Sequence, residues 1–305
     1  MLFRKMRRDL WEQKGAYIAC LVVIAIGLMI FTAMSMVMDN LLLSRDTFYQ
    51  NQNFADGFAE LQGMPYSEVS KLGTIEGIDR IQGRLVKDVR VAMPVKEDNI
   101  YLRLVSMDTS QPRRLNDVLL LQGNPLSDTS MNLWVDNKFF AAHDFELNDE
   151  ISIIAEGKRK TFLVTGSGQS PEFIYALRTS SDLFPNPETF GIGYAPLDVM
   201  KNLFQEKSAV NNLVFTLKPG FTFDDVKPQL ETELKSYGLK SLYPRKDQTS
   251  HLLLAQELSG LQAMAKAFPI IFLSVAAMIL YIMLKRMIEQ QRTQLGTLKA
   301  FGYTN

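Results

Sequence analysis

Side chains that could carry out acid–base, nucleophilic or metal chemistry are few and scattered along the sequence. The two histidines, His143 and His251, are far apart, and neither lies in a group of residues with metal-ligand spacing. Cys20, the single cysteine, lies in a long apolar stretch. The acidic pairs Asp149–Glu150 and Asp224–Asp225 are typical of turns and helix starts. The sequence therefore predicts no catalytic residue, no metal ligand and no enzyme active site.

A nucleotide-binding loop is also missing from the sequence. The phosphate-binding pattern G-x-x-x-x-G-K-[ST] is not matched, because Gly157 and Lys158 are followed by Arg159 and preceded by no suitable glycine. Gly166 and Gly168 are predicted to form a turn, and they lack the strand-to-helix setting of a dinucleotide site. The chain is therefore predicted to bind no cofactor of its own and to have no ATPase motif.

Two long uncharged stretches give the chain its membrane character. As helices, residues 15–38 would extend roughly 36 Å and residues 267–284 roughly 27 Å, against a hydrocarbon core of roughly 30 Å. A buried helix of a soluble protein would usually keep a polar stripe, which neither stretch has. A cleaved signal peptide would have a shorter apolar region that ends at small residues. Two transmembrane helices are therefore predicted.

The distribution of basic residues predicts the side of the membrane on which each segment lies. Lys and Arg near a span are retained in the cytoplasm. Nine of them flank the two stretches on their terminal sides, against Arg45 and Lys266 on the other side. Both termini are therefore predicted to be cytoplasmic, with residues 39–266 outside. This outer part carries 24 basic and 30 acidic residues, which argues against binding of nucleic acid.

Residues 39–247 are predicted to form an extracytoplasmic domain of mixed α+β class. Stretches rich in β-branched and aromatic residues predict strands at 54–62, 84–95, 100–107, 131–137 and 211–220, and a hairpin over 150–166 that turns near 156–157. Apolar residues at helical spacing predict helices at 65–75, 138–145, 196–204 and 224–238. No disulfide is expected there because the only cysteine lies in a span, which mildly favours a bacterial source.

Three further helical segments are predicted beside the spans. Residues 1–14 place apolar side chains at helical spacing among basic ones, a pattern typical of a helix in the membrane interface. Residues 248–266 are predicted to form a stalk helix that leads into the second span, with Pro269 near its outer end. Residues 285–305 predict an amphipathic helix that Gly302 can end. Such a helix docks on a cytoplasmic partner or lies on lipid, and its periodicity alone slightly favours lipid.

This last segment also resembles a known family. It runs E-x-x-R-x-Q-L-G-x-L-K-A-F-G, which is similar to the run E-x-x-R-x-E-I-G-x-L-K-A-L-G of the FtsX-like permeases, the membrane subunits of MacB-type (type VII) ABC transporters. It departs from the family at Gln294, where glutamate is usual. The resemblance implies a set of ATPase-coupling residues, namely Glu289, Arg292, Gln294, Leu295, Gly296, Leu298, Lys299, Ala300 and Gly302.

The resemblance has consequences for the rest of the chain. It implies a MacB-like extracytoplasmic core domain, and further spans after Asn305. It implies a subunit that is not an enzyme and works with a separate ABC ATPase, which binds the ATP, either as a permease dimer or as a pseudo-dimer with a downstream repeat. In the family, the inner helix and the stalk carry ATP-driven motion outward, in efflux, lipoprotein or peptide handling, or mechanotransmission to envelope enzymes. The expected location is the bacterial plasma membrane, in contact with lipid.

Two other functional classes share parts of this pattern. A two-span sensor would have the same topology, but its inner segment would usually continue as a parallel coiled coil, whereas Gly296 and Gly302 interrupt the repeat here. A membrane-tethered hydrolase would need a nucleophile and a base, to which nothing in the sequence points. The sequence therefore favours the permease, with the sensor as the main alternative.

Overall fold

The computed structural model describes residues 11, 14–92, 99–127, 130–179, 181–182, 184–206 and 209–300. The chain divides into two compact units. The helical unit contains the residues up to Ser44 and those from Glu257 onward, and the α+β unit is Arg45–Gln256. Most of the interface helix predicted at residues 1–14 lies outside the described residues.

The described part of the chain contains six α-helices, which are α1 (Lys14–Asn51), α2 (Tyr66–Leu72), α3 (Asn137–Ala142), α4 (Leu197–Leu203), α5 (Phe223–Leu234) and α6 (Thr249–Ala300). Helices α1 and α6 include the two predicted spans, and both are long and apolar enough to cross a membrane. Helix α1 continues past the predicted end of its span to Asn51. Helix α6 unites the predicted stalk, span and inner segment, and Pro269 lies inside it.

The same part of the chain contains eleven strands, all in the α+β unit. They are β1 (Gly57–Pro65), β2 (Ile78–Arg84), β3 (Val86–Val91), β4 (Ile100–Met107), β5 (Leu119–Gly123), β6 (Asn132–Asp136), β7 (Glu150–Ala155), β8 (Lys158–Gln169), β9 (Phe190–Pro196), β10 (Ala209–Leu217) and β11 (Leu239–Pro244). They form two sheets, so the predicted mixed α+β class is confirmed.

The first sheet has four antiparallel strands in the order β11-β1-β10-β2. Its strands β1 and β11 follow α1 and precede α6 in the sequence, so both long helices connect to neighbouring strands. Helix α5 covers this sheet with Val226, Leu230 and Leu234, which recur every four residues and are all buried. Thr222 and Asp225 form a capping box at the start of α5, as the acidic helix start predicts.

The second sheet closes into a small barrel. Its strands follow the order β8-β6-β9-β4-β3-β7, and β7 pairs with β8 to complete the ring, while β5 adds to the far part of β8. The pairs β4–β9 and β6–β8 are parallel, and the other pairs are antiparallel. One face of the ring forms an apolar core with no exposed surface at Leu102, Leu104, Leu133, Val135, Phe162 and Val164.

Sequence reasoning missed strands β2, β5, β9 and β11. Strand β9 is buried along its whole length, and its glycines hid it, although Gly191 is needed there because Phe139 packs against its backbone. Strand β11 lies at the edge of the four-stranded sheet and ends at a proline. The turn predicted at Gly166 and Gly168 is wrong, because both lie within β8, where Trp134 packs on Gly166.

Candidate functional site

The predicted ATPase-coupling residues lie at the end of α6, which remains helical through Gly296 to Ala300. Glu289, Arg292, Gly296 and Ala300 are exposed, and the space beside Gly296 is open. The side chains of Gln294, Leu295, Leu298 and Lys299 lie outside the described residues, as does Gly302. The helix is therefore continuous at Gly296.

The helical unit buries only a narrow stripe on each of its two helices. On α1, Gly27 is buried and lies so close to α6 that a Cβ atom there would be 3.1 Å from Cβ of Phe272. On α6, the buried stripe includes Ala265, Ala276 and Met283. Small residues at such a stripe let two helix backbones approach each other, which is how helices pack within a membrane.

Hydroxyl groups in the two predicted spans are satisfied by the helices themselves. Thr32 donates through Oγ1 to the carbonyl of Leu28 at 2.9 Å, and Ser274 donates through Oγ to the carbonyl of Ile270 at 2.7 Å. A hydroxyl in hydrocarbon needs such a partner because no water is present to supply one. Both spans are therefore compatible with lipid on their exposed faces.

A buried ion pair lies at the centre of the α+β unit. Arg84, at the end of β2, donates through Nη1 and Nη2 to both carboxylate oxygens of Glu172, at 2.6 and 3.0 Å, and both side chains are about 8% exposed. Arg84 also donates to Oδ1 of Asn212 on β10, and Asn116 donates to Oε2 of Glu172 at 2.6 Å. These bonds compensate the cost of burying two charges.

The start of α6 is bound to the same place. Gln248 donates through Nε2 to the backbone carbonyl of Glu172 at 2.8 Å, and the backbone N–H of Tyr175 donates to Oγ of Ser250 at 3.0 Å. Gln248 and Ser250 are only 6% and 1% exposed. We call these two bonds the tether, because they join α6 to residues 172–175, which follow barrel strand β8.

The chain that leaves α1 reaches the same centre. The backbone N–H of Ala55 donates to Oδ1 of Asn116 at 2.7 Å, so the segment after α1 is joined through Asn116 to Glu172. Arg245, just before α6, donates to the carbonyl of Ala55 and to Oδ1 of Asp56. The ends of both long helices therefore connect to one buried polar network.

A cleft of about 450 Å³ opens beside this network, between the four-stranded sheet and the barrel. Glu60, Lys240 and Tyr243 line it from the sheet side, and Arg103 and Arg178 line it from the barrel side. Burial lowers the pKa of Arg103, but its hydrogen bond to Asp88 and the negative charges of Asp88, Glu172 and Glu60 together raise that pKa above its ordinary value. The cleft thus presents charges of both signs and aromatic surface.

Sequence reasoning missed this network because its members come from separate parts of the chain. Arg84, Asn116, Glu172, Asn212 and Gln248 share no motif and no regular spacing. Each looks like an ordinary surface residue until the fold buries it. The sequence offered one signal, a charged residue, Glu172, directly before the apolar run 173–177. This signal is too weak to identify a site.

The two histidines and Asp149 make contacts within the α+β unit. Nδ1 of His251 lies 3.1 Å from the hydroxyl of Tyr49, and the ring of His143 packs on Phe139 with centroids 4.3 Å apart. Asp149 accepts a hydrogen bond from the backbone N–H of Glu146 in a turn. Among the residues that the structure describes, no group of three His, Cys, Asp or Glu side chains could hold a metal ion.

Comparisons with known proteins found one family model and several solved structures that are similar to parts of the chain. Residues 266–305 match the family model of the FtsX-like permease C-terminal region. The periplasmic region of MacB from Actinobacillus actinomycetemcomitans is similar over 69% of this chain and 95% of its own, with a TM-score of 0.42 and 11% identity. The extracellular domain of the ABC-type transporter YknZ from Gram-positive bacteria is similar over 62% and 98%, with a TM-score of 0.40 and 10% identity. No curated protein matches the chain.

The family match falls on the residues that carry the sequence motif. It covers the second predicted span and the whole inner segment that follows it. The remaining architecture is the one that the resemblance implies, since a mixed α+β unit lies in the sequence between two helices that are able to cross a membrane. Residues 266–305 are therefore similar to the C-terminal region of the FtsX-like permeases.

Proposed function

We propose that this chain is the membrane subunit of an ABC transporter and passes the ATP-driven motion of a separate ATPase to its own outer domain. The observation that carries the proposal is the continuity of α6. One helix, Thr249–Ala300, bears the permease motif near its last residues and is preceded by Gln248, which is hydrogen-bonded to Glu172 in the α+β unit. A helix without a break is stiff along its axis, so it is suited to carry a displacement from one end to the other.

The proposal places contact with the ATPase at the inner end of α6. Leu295 and Leu298 are three residues apart, so they share one face of the helix. Gly296 exposes backbone next to that face, which permits close approach of a partner. Docking of an amphipathic helix into a groove concentrates its binding energy in a few such apolar anchors.

Substitution of Leu298 tests this contact. Leu298→Asp should weaken binding of the ATPase by more than about 2 kcal/mol, because it removes an anchor and buries a charge. Arg292→Ala, at an exposed position, should cost roughly 1 kcal/mol or less. The measurement is co-purification of the ATPase with the full-length permease, with insertion of each variant in the membrane confirmed.

Thr297→Asp is the matched control, since it adds the same charge one residue away, on another face of the helix. It should leave recruitment of the ATPase nearly unchanged. If Leu298→Asp also recruits the ATPase normally, the inner segment is not the coupling element. Lipid docking, the other interpretation of this helix, predicts that outcome together with weaker membrane association of the isolated helix.

The other parts of the proposal follow from the same role. ATP is bound by the partner ATPase, and this chain needs no cofactor of its own. The chain works in the bacterial plasma membrane, with the first residue of α1, Lys14, and the last residue of α6, Ala300, in the cytoplasm. It acts as a dimer or as a pseudo-dimer with a downstream repeat. The purified chain alone should hydrolyse no ATP, and saturable hydrolysis by it would contradict the proposal.

The cleft in the α+β unit supports a second candidate function, a two-span sensor that binds a ligand outside the cell. Its volume of about 450 Å³ and its lining by charged and aromatic side chains suit a small polar ligand. The gene sequence beyond Asn305 separates the two candidates. Further membrane spans support the permease, whereas a kinase or a coiled-coil module supports the sensor.

A further inference from the structure

The covalent chain connects the two long helices to only one of the two sheets. Helix α1 leads into β1, and α6 follows β11, so both helices join the four-stranded sheet. The barrel strands, β3, β4 and β6 to β9, lie between β2 and β10 in the sequence. Through the backbone alone, a displacement of α6 would therefore reach the barrel only after it had passed through the four-stranded sheet.

The tether supplies a direct connection between α6 and the barrel. Gln248 immediately precedes α6 and Ser250 lies in its first turn, and they bind Glu172 and Tyr175 in the segment that leaves β8. The side chains of Gln248 and Ser250 are only 6% and 1% exposed. Loss of a hydrogen bond at such a side chain leaves a polar group with little access to water, so the docked position is preferred.

The rest of the network stiffens the place where the tether is attached. Glu172 is held by Arg84 and Asn116, and Lys138 on α3 donates to the carbonyl of Ile174 at 2.9 Å. Residues 172–175 are therefore fixed to the four-stranded sheet through Arg84, to the barrel side through Lys138 and to the start of α6. Because residues 172–175 form this many hydrogen bonds, they form a stiff connection through which a displacement can be transmitted.

We propose that Gln248 and Ser250 are positioning residues that fix the barrel to the first turn of α6, so that the barrel follows α6 directly. This inference rests on the proposed relay function for its biological purpose, but the rigid connection itself does not depend on ATP.

A double variant removes the tether and keeps the helix start. Gln248 also caps α6, because its Oε1 accepts from the backbone N–H of His251 at 2.7 Å. Serine is a good residue for this cap but is too short to reach Glu172, so Gln248→Ser with Ser250→Ala breaks both tether bonds and spares the cap. Thr249→Ala with Gln256→Ala is the matched control, since it removes the same two kinds of polar group from exposed positions of the same helix.

The experiment measures the distance between spin labels at Lys160 in the barrel and Leu252 on α6, in the full-length permease with its ATPase and with Cys20→Ser. Both label sites are exposed. The permease with an unchanged tether and the control variant should each give one narrow distribution of label distances, and this distribution should be the same with and without ATP. The tether variant should give a distribution at least twice as wide, and its mean should change when ATP is added.

A tether variant with the narrow distribution of the control would overturn the inference. Ser250→Ala alone, which should widen the distribution by an intermediate amount, replaces the double variant if that variant does not fold. The distance distribution of the tether variant should widen even without ATP, because the widening depends only on the tether bonds. This result therefore does not depend on the outcome of the ATPase recruitment test at Leu298. Normal recruitment by Leu298→Asp would remove the relay but leave the rigid connection intact.

Discussion

The helical unit and the α+β unit treat their apolar side chains in opposite ways. In the helical unit, large side chains such as Leu21, Ile270 and Tyr281 are each about 65% exposed, and few side chains are buried. In the α+β unit, large side chains such as Phe139 and Phe162 have no exposed surface. The two units are built for different solvents, since apolar surface is stable against lipid and unstable against water.

This difference separates the sources of stability in the two units. The α+β unit buries its own apolar surface and closes its barrel, so it has the means to fold by itself in water. The helical unit leaves most of its apolar surface uncovered, so its stability depends on lipid or on further helices. Four experiments test this difference between the two units, from the largest expected effect to the smallest. They separate the units, remove a core side chain, remove the connection to α6 and change the charge of an exposed carboxyl group.

The largest effect should follow from separation of the units. Residues 45–256, expressed alone, should form a soluble monomer that melts cooperatively without detergent, and they contain no cysteine that would require oxidation. The full chain should need detergent or lipid to stay in solution. Size-exclusion chromatography and thermal melting measure both properties, and aggregation of residues 45–256 under all conditions would show that the boundary or the comparison is wrong.

A core substitution should have the next largest effect. Phe162→Ala should lower the free energy of unfolding of residues 45–256 by about 3 to 5 kcal/mol, because it leaves a cavity in the barrel. Phe184→Ala makes the same chemical change at a side chain that is 81% exposed, and it should cost less than about 0.5 kcal/mol. Urea unfolding compares the two variants, and equal losses would contradict a packed barrel core.

The connection to α6 should contribute less than the core. Residues 45–245 end before the predicted stalk helix, so they lack Gln248 and Ser250 and lose both tether bonds. This shorter fragment should be less stable than residues 45–256 by about 2 kcal/mol, since each lost hydrogen bond contributes about 1 kcal/mol. Equal urea midpoints for the two fragments would mean that the tether does not stabilise the unit.

The smallest effect should come from an exposed carboxyl group at the start of α5. Hydrogen bonds from the hydroxyl and the backbone N–H of Thr222 hold the pKa of Asp225 below its ordinary value of 3.8. A lowered pKa stabilises the folded state above pH 3.8, and this contribution is lost as the pH falls through the folded-state pKa.

Asp225→Asn should therefore reduce the acid-induced loss of stability of residues 45–256 below about pH 4. Asp224→Asn, the neighbouring change that removes the same charge, is the control and should leave that loss in place. The measurement is urea unfolding at a series of pH values. An unchanged pH profile for Asp225→Asn would contradict the assigned role of the capping box.

Local patterns were sufficient where one segment decides its own structure. The hairpin of β7 and β8 turns at Glu156 and Gly157 as predicted, because the alternation of side chains and the turn residues are adjacent in the sequence. The helix α5 and its acidic start were predicted for the same reason. The coupling residues remain a prediction from the family motif, to be tested by Leu298→Asp.

Patterns failed where the fold sets the environment. The glycines of β9 indicate a loop when read alone, but within the barrel Gly191 makes room for Phe139. Strand β5 is short, and it is recognisable only because β8 provides its hydrogen-bonding partner. Gly166 and Gly168 indicate a turn in isolation, yet both are drawn into β8 by pairing with its neighbours.

The sequence by itself determined the two apolar helices, the mixed composition of the unit between them and the permease motif, because charge, length and local spacing are properties of single segments. Only the tertiary structure decided the closed barrel, the buried Arg84–Glu172 pair and the tether at Gln248 and Ser250. These features join residues far apart in the chain, and their energies depend on burial, which no single segment specifies.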